Sequence, residues 1–261
     1  MKTVFSFGTS FWPSKPGICG WKKAGESAVC WEYFDKIYCI SLDERSDRRE
    51  EAKAQFNAVG LLDRVEFVLV KKHPFDCEQG IYESHILCMR KGIYADAANI
   101  VIFEDDICFD RFSPKTLKTS IDFLSTNTNW KILFLGCMVK RSKKTESQSV
   151  IKIEFRSLCH AYVLNPDFAK NLVQMPWQKI PFDDMLHDLK DAHFYAVYPS
   201  FAFQGNSRSD NQRYLALDRF RRLCGGLRRL QKMNEIYHHN KTIIIGIHIL
   251  FILILIVMLT I

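Results

Sequence analysis

The chain has 261 residues, 48% hydrophobic and 25% charged, with 20 phenylalanines. Large apolar side chains in that proportion exclude a disordered tail or linker and favour one packed domain. The formal net charge is +7, and much of the excess sits late, at Arg219, Arg221, Arg222, Arg228, Arg229, Lys232 and Lys241. Because that run adjoins an apolar segment, it points to a membrane surface, with a merely solvated basic face as the alternative; no aromatic–basic interleaving appears elsewhere in the chain, which argues against nucleic acid.

Residues 1–34 carry Gly, Pro and Ser among aromatics, without the apolar core and small-residue cleavage site of a signal peptide, and read as an irregular lead-in. The β-branched and aromatic run over residues 36–42 predicts a buried strand. Residues 47–59 predict a helix, with Asp47 as its N-cap and Ala52, Phe56 and Val59 on one face. A second strand is expected at 65–70, a helix at 83–98 and a third strand at 99–103. Further strands are expected at 131–136, 151–155, 161–164 and 194–198, with a polar loop at 141–149. Helices are expected at 166–175, where Pro166 suits the first turn, and at 184–192. Strands alternating with helices predict an α/β sheet built from crossover units.

The nine cysteines include no C-x-x-C pair, and several lie in apolar runs. They read as reduced core thiols, with Cys19 and Cys30 the one candidate pair for a disulfide or metal. Residues 242–261 contain no charged side chain. A helix of that length spans about 30 Å, the thickness of a bilayer core. The expectation is a single-pass C-terminal anchor, with the basic run of 213–241 and the folded domain on the cytosolic side.

Two constellations bear chemistry. Glu104, Asp105 and Asp106 directly follow the third strand, and loops at the carboxyl ends of strands are where α/β sheets bind ligands. Adjacent carboxylates repel, and hard oxygen donors suit Mg²⁺ or Mn²⁺, ions that bridge protein carboxylates to a diphosphate. Asp43, Arg45, Asp47, Arg48 and Arg49 follow the first strand, and arginine forks hold phosphate bidentately. Taken alone, either cluster is also an ordinary solvated turn or helix start.

The run IYCISLDERSDRR, residues 37–49, resembles the opening motif of glycosyltransferase family 25, which includes lipooligosaccharide and collagen galactosyltransferases, with Ser41 where the family has Asn. Gly80 with Ser84 and His85 is similar to the family's Gly…Ser-His element, without its usual preceding Cys. The acidic run ending at Glu104, Asp105 and Asp106 resembles its Leu-Glu-Asp-Asp, and CHAYVLN at 159–165 its Ala-Tyr strand. Pro181 to Asp184, and Gln204 with Ser209 and Asp210, resemble two late acidic motifs.

The resemblance covers residues 35–212. It implies a GT-A-like, Rossmann-type domain that transfers a sugar, galactose being the commonest, from a nucleoside-diphosphate donor such as UDP-galactose to a glycan or glycolipid hydroxyl, as in lipooligosaccharide or cell-surface glycan synthesis. Under it, Glu104, Asp106 and Asp210 are candidate ligands for Mn²⁺ or Mg²⁺. Asp43, Arg45, Arg48, Arg49, Ser84, His85 and Asp105 are candidate donor contacts, the Ser-His pair lying at a helix start. Asp183 or Asp184 is the candidate base of an inverting displacement. The competing expectation is a catalytically inactive, membrane-tethered binding protein on the same fold.

Overall fold

The computed structural model describes residues 30–205 and 225–260. An eight-stranded mixed sheet forms the centre, in the order β2-β1-β3-β8-β5-β9-β7-β6. Its strands are β1 (Lys36–Leu42), β2 (Val65–Val70), β3 (Ile100–Glu104), β5 (Ile132–Phe134), β6 (Met138–Lys144), β7 (Val150–Ser157), β8 (Ala161–Leu164) and β9 (Phe194–Val197). A separate two-stranded sheet joins β4 (Ile107–Phe109) to β10 (Ala202–Gln204) in antiparallel register.

Side-chain alternation along β1 builds both layers of core. Ile37 and Cys39 pack with Ala52 and Phe56 of α1 (Ser46–Ala58) and with Leu117, Phe123 and Leu124 of α3 (Pro114–Thr126). Tyr38 faces the opposite way, toward Tyr82, Ile86 and Met89 of α2 (Cys77–Tyr94), Phe168 and Leu172 of α4 (Pro166–Leu172), and Phe182 and Leu186 of α5 (Phe182–Leu189). Each fully buried side chain of this size, Phe56 among them, contributes about 1.5–3 kcal/mol over its exposed state. Trp31 and Phe34 are themselves fully buried, so the packed domain reaches back into the N-terminal lead-in.

Helix α1 ends where its sequence says it must. Gly60 takes a φ of 68°, and the amides of Gly60 and Leu61 donate back to Asn57 and Phe56. That is the hydrogen-bond pattern of a glycine-terminated helix, and a Cβ at this φ would be strained.

The chain leaves β1, crosses through α1 to β2 on one side, and returns through α2 to β3 on the other; both neighbours run parallel to β1. The direction of winding therefore reverses at the β1–β3 pair, and the carboxyl ends of these strands frame a crevice. Ile40 of β1 stands opposite Glu104 of β3, which sets the 43–49 segment beside the acidic triplet.

The α/β architecture expected from the sequence is present, with corrections in detail. Helix α2 begins at Cys77, six residues before its expected start, because Asp76 caps it by accepting from the amides of Glu78 and Gln79. Residues 141–149, expected as a polar loop, begin with the end of β6. This is an edge strand whose lysines face solvent, a common protection against edge-to-edge pairing. The N-cap of α1 is Arg45, with Asp47 inside the first turn. Helix α3 and strands β4 and β10 had no sequence expectation.

The last element, α6 (Gly226–Thr260), is one continuous helix of 35 residues. Its first part packs on the domain, with Gln231 fully buried, while every side chain from 245 to 259 is exposed. By length and composition α6 as a whole is long and apolar enough to cross a bilayer.

Candidate active site

At the crevice, Arg48 reaches from the first turn of α1 to the acidic triplet. Its Nε lies 3.1 Å from Asp105 Oδ1 and its Nη2 lies 2.7 Å from Asp106 Oδ2. Burial alone would depress the guanidinium, but Asp106, Asp105 and Glu104 together hold it above its ordinary value. The positive charge called for by three adjacent carboxylates is thus supplied in part by the protein itself.

The three acids differ in surroundings. Asp105 is buried; burial pushes its carboxyl up, against the pull of Arg48 and a hydrogen bond from Ser41. Ser41, where the family has Asn, is therefore a partner of the triplet. Asp106 Oδ2 also accepts from Gln204 Nε2 at 2.9 Å, whereas Asp106 Oδ1 is buried with no hydrogen-bond partner. Glu104 keeps 28% of its side-chain surface open, yet the protein around it and the charges of Asp106, Asp105 and Glu78 push its carboxyl well above the usual range.

Behind Glu104 lies a buried relay. His85 Nε2 is 3.3 Å from Glu104 Oε1, and His85 Nδ1 is 2.8 Å from the Tyr162 hydroxyl. The imidazole stacks on Phe182, ring centroids 4.5 Å apart. Burial lowers its pKa to about 4, so His85 is neutral at pH 7; Asp183 opposes that shift. If the Tyr162 hydroxyl donates to Nδ1, the proton sits on Nε2, which is buried without a hydrogen-bond partner among the described residues although Glu104 is close by. Asp183 stands at the start of α5 and accepts the amides of Leu158 and Cys159 at 2.7 and 3.0 Å. Burial raises its carboxyl to about 6 despite those two bonds.

The other sequence candidates sort by contact. Arg45 pairs with Asp47 through two bonds of 2.9 and 2.8 Å. Arg49 donates to the Leu42 carbonyl at 2.6 Å and braces the end of β1. Asp43 and Asp184 are exposed. Ser84 and His85, expected at a helix start, lie in the middle of α2, and the Ser84 hydroxyl donates to the Gly80 carbonyl one turn back. Asp210, Cys19 and Cys224 lie outside the described residues. No disulfide joins any two of the described cysteines, and the thiols of Cys39, Cys137 and Cys159 are pushed well up by burial, which makes them inert.

Glu78 and Gln231 went unread in the sequence, and Tyr162 and Gln204 were read only as members of motifs, without their side-chain contacts. Glu78 left a trace, seven residues before His85 and hence on the same face of α2. Among the described residues no three His, Cys, Asp or Glu side chains close on a common point. The hard oxygens that a divalent ion could use are Glu104, 28% of whose side chain is open, and the unpartnered Asp106 Oδ1.

The family model described as glycosyltransferase family 25 (LPS biosynthesis protein) matches residues 70–186. The resemblance to family 25 is confirmed. The matched stretch runs from the end of β2 into α5 and contains His85, the acidic triplet, Tyr162 and Asp183. Procollagen galactosyltransferase 2 of Mus musculus and of Homo sapiens are each 21% identical over 201 residues, covering 64% of this chain. The chain spans about a third (32%) of the length of these curated relatives. Solved structures with a similar chain course include A197 from STIV, 9% identical with a TM-score of 0.45, covering 65% of this chain and 85% of that one. A glycosyltransferase involved in glycosylating the major capsid of PBCV-1 is 8% identical with a TM-score of 0.37, covering 62% and 81%.

Proposed function

We propose that the chain is a glycosyltransferase that moves a hexose, galactose by family resemblance, from a nucleoside diphosphate such as UDP to a hydroxyl of a glycan or glycolipid acceptor. The observation that carries this reading is the place of Asp106: at the reversal of the sheet, beside Glu104, with one buried carboxylate oxygen left without a partner. Glu104 and Asp106 would hold Mn²⁺ or Mg²⁺, with Asp210 a further candidate. A divalent ion bound there supplies positive charge against the departing diphosphate, an effect of several kcal/mol.

Arg48 sits on the same carboxylates and adds a second, fixed positive charge at the crevice. His85 stands behind Glu104, its Nε2 3.3 Å from Oε1. An inverting displacement needs a base for the acceptor hydroxyl, and a carboxyl raised to about 6 is matched to that work near neutral pH. Asp183 is therefore the preferred base, since each of its oxygens keeps a second lone pair beyond its amide bond, with the exposed Asp184 as the alternative. The apolar part of α6 would anchor the enzyme in a membrane as a single-pass tail, with the domain and the basic residues on the cytosolic side. That placement suits a membrane-borne acceptor, as in lipooligosaccharide or cell-surface glycan synthesis.

One observation favours a second reading. Arg48 already compensates Asp105 and Asp106, as a donor-binding protein without transfer would need. Turnover separates the two. The full chain is incubated with UDP-, GDP- and CMP-sugars, with Mn²⁺ and with chelator, and release of free nucleotide and sugar transfer are measured. The enzyme reading expects metal-dependent release from one donor class. Donor binding without turnover supports the second reading, and absence of both binding and turnover sinks the proposal.

A further inference from the structure

We propose that the docked half of α6 is a positioning element for Asp106, so that the apolar helix and the acidic crevice behave as one rigid body. The proposal rests on the reading of Asp106 given above. Arg228, Gln231, Lys232 and Glu235 recur at spacings of three and four, which puts them on one face of the helix. All four grip the β4–β10 sheet or its flanks. Arg228 Nη2 lies 2.6 Å from Asp110 Oδ2, and Lys232 pairs with the same carboxylate, just beyond the end of β4. Gln231 is fully buried and its Nε2 donates to the Ala202 carbonyl of β10 at 2.9 Å. Glu235 accepts the Ser200 amide at 3.0 Å and pairs with Arg111 at 3.1 Å.

This small sheet is the mount of Asp106. The chain passes from Asp106 directly into β4, and Gln204 of β10 stands opposite Ile107. Gln204 Nε2 holds Asp106 Oδ2, and the Gly205 amide holds the Asp106 carbonyl at 2.6 Å. Ala202 and Gln204 are two residues apart on one strand, so a shift at the Gln231 contact is passed to Asp106 along a single short segment. There is no slack to absorb it: a Cβ at Gly136 would lie 1.7 Å from the Ala202 carbonyl oxygen and 2.7 Å from Gln231 Nε2. The basic residues Arg228 and Lys232, which the sequence assigns to the membrane surface, are turned inward to Asp110.

The test uses the full chain in detergent micelles and two substitutions on α6. Gln231→Met keeps size and removes the donor to Ala202. Asn234→Leu is the control, because among the described residues Asn234 bonds to the backbone of Val139 on β6 and not to β4–β10, so that it loses comparable docking elsewhere. Two readouts are taken: amide hydrogen exchange over residues 104–110, and Mn²⁺ affinity in the presence of UDP. Gln231→Met is expected to raise exchange in that segment and to weaken Mn²⁺ at least about five-fold, with Asn234→Leu leaving both near wild type. If the two variants behave alike, or if exchange at 104–110 is unchanged in Gln231→Met, the positioning role is overturned. Coupled exchange in a wild-type protein that binds neither Mn²⁺ nor UDP upholds the rigid coupling and rejects the metal reading of the acids. Should Gln231→Met fail to fold, Arg228→Gln probes the same mount from the β4 side.

Discussion

Arg48 Nη2 lies 2.7 Å from Asp106 Oδ2, and the pair is mostly shielded from solvent, with side-chain exposures of 12% and 8%. Removing one partner of such a buried pair leaves a charge without compensation and costs about 3–5 kcal/mol. Arg48→Met should therefore destabilise the protein by that order in chelator. Added Mn²⁺ should recover part of the loss if Asp106 is a ligand. Denaturant midpoints with and without the ion measure both effects, and an equal loss in the two conditions counts against metal binding here.

Asp183 and Asp184 make separable predictions. Replacing a general base lowers turnover about 10²–10⁴-fold. Asp183→Asn should fall in that range for transfer, with donor affinity little changed, whereas Asp184→Asn should fall far less. The reverse order, measured as kcat for transfer, would move the base to Asp184.

Asp183 and His85 oppose each other in pH. The folded state raises Asp183 from 3.8 to about 6, so that group contributes stability below 3.8 that is lost as pH rises through 6. It lowers His85 from 6.5 to about 4, so that group contributes stability above 6.5 that is lost as pH falls through 4. Each shift corresponds to roughly 3 kcal/mol. In wild type the two largely cancel between pH 4 and 6. Asp183→Asn removes one of them, and its stability in chelator should drop by roughly 3 kcal/mol from pH 6.5 to 4. A variant curve as flat as wild type refutes the assignment.

Gly136→Ala should be among the most damaging small substitutions. The added methyl would meet the backbone carbonyl of Ala202, which has little freedom to move. A loss of more than about 3 kcal/mol is expected, larger than ordinary overpacking. Thermal unfolding of the variant against wild type tests it.

Deleting residues 242–261 should release the protein from membranes while leaving the docked part of α6 in place. The truncated protein is expected in the soluble fraction after cell lysis, with its donor-binding behaviour unchanged. Persistent sedimentation with membranes contradicts the anchor.

The sheet was legible because β1, β2 and β3 are runs of high β-propensity, β1 and β3 largely buried, and the placement of the acidic run after β3 was legible for the same reason. The sorting of the arginines was not. Arg45, Arg48 and Arg49 are alike in sequence, and only the helical turn beginning at Ser46 aims Arg48 at the triplet while Arg49 turns back to Leu42. Strands β4 and β10 are three residues each, too short to show a period. Gln231 was invisible because its meaning depends on the Ala202 carbonyl, 29 residues away, being in need of a donor. Arg228 and Lys232 were misread for a related reason, since their partner Asp110 lies far away in sequence.

The continuity of α6 acts as a gear between its two halves. With no break between the docked residues and the apolar ones, a single residue inserted after Lys241 would turn one half against the other by about 100° and separate them by about 1.5 Å. Seven inserted residues, close to two turns, would nearly restore the original facing while lifting the domain by about 10 Å. With the apolar half held in a bilayer, as proposed above, the phase of one helix would set the direction in which the crevice opens, through the number of its residues more than their identity.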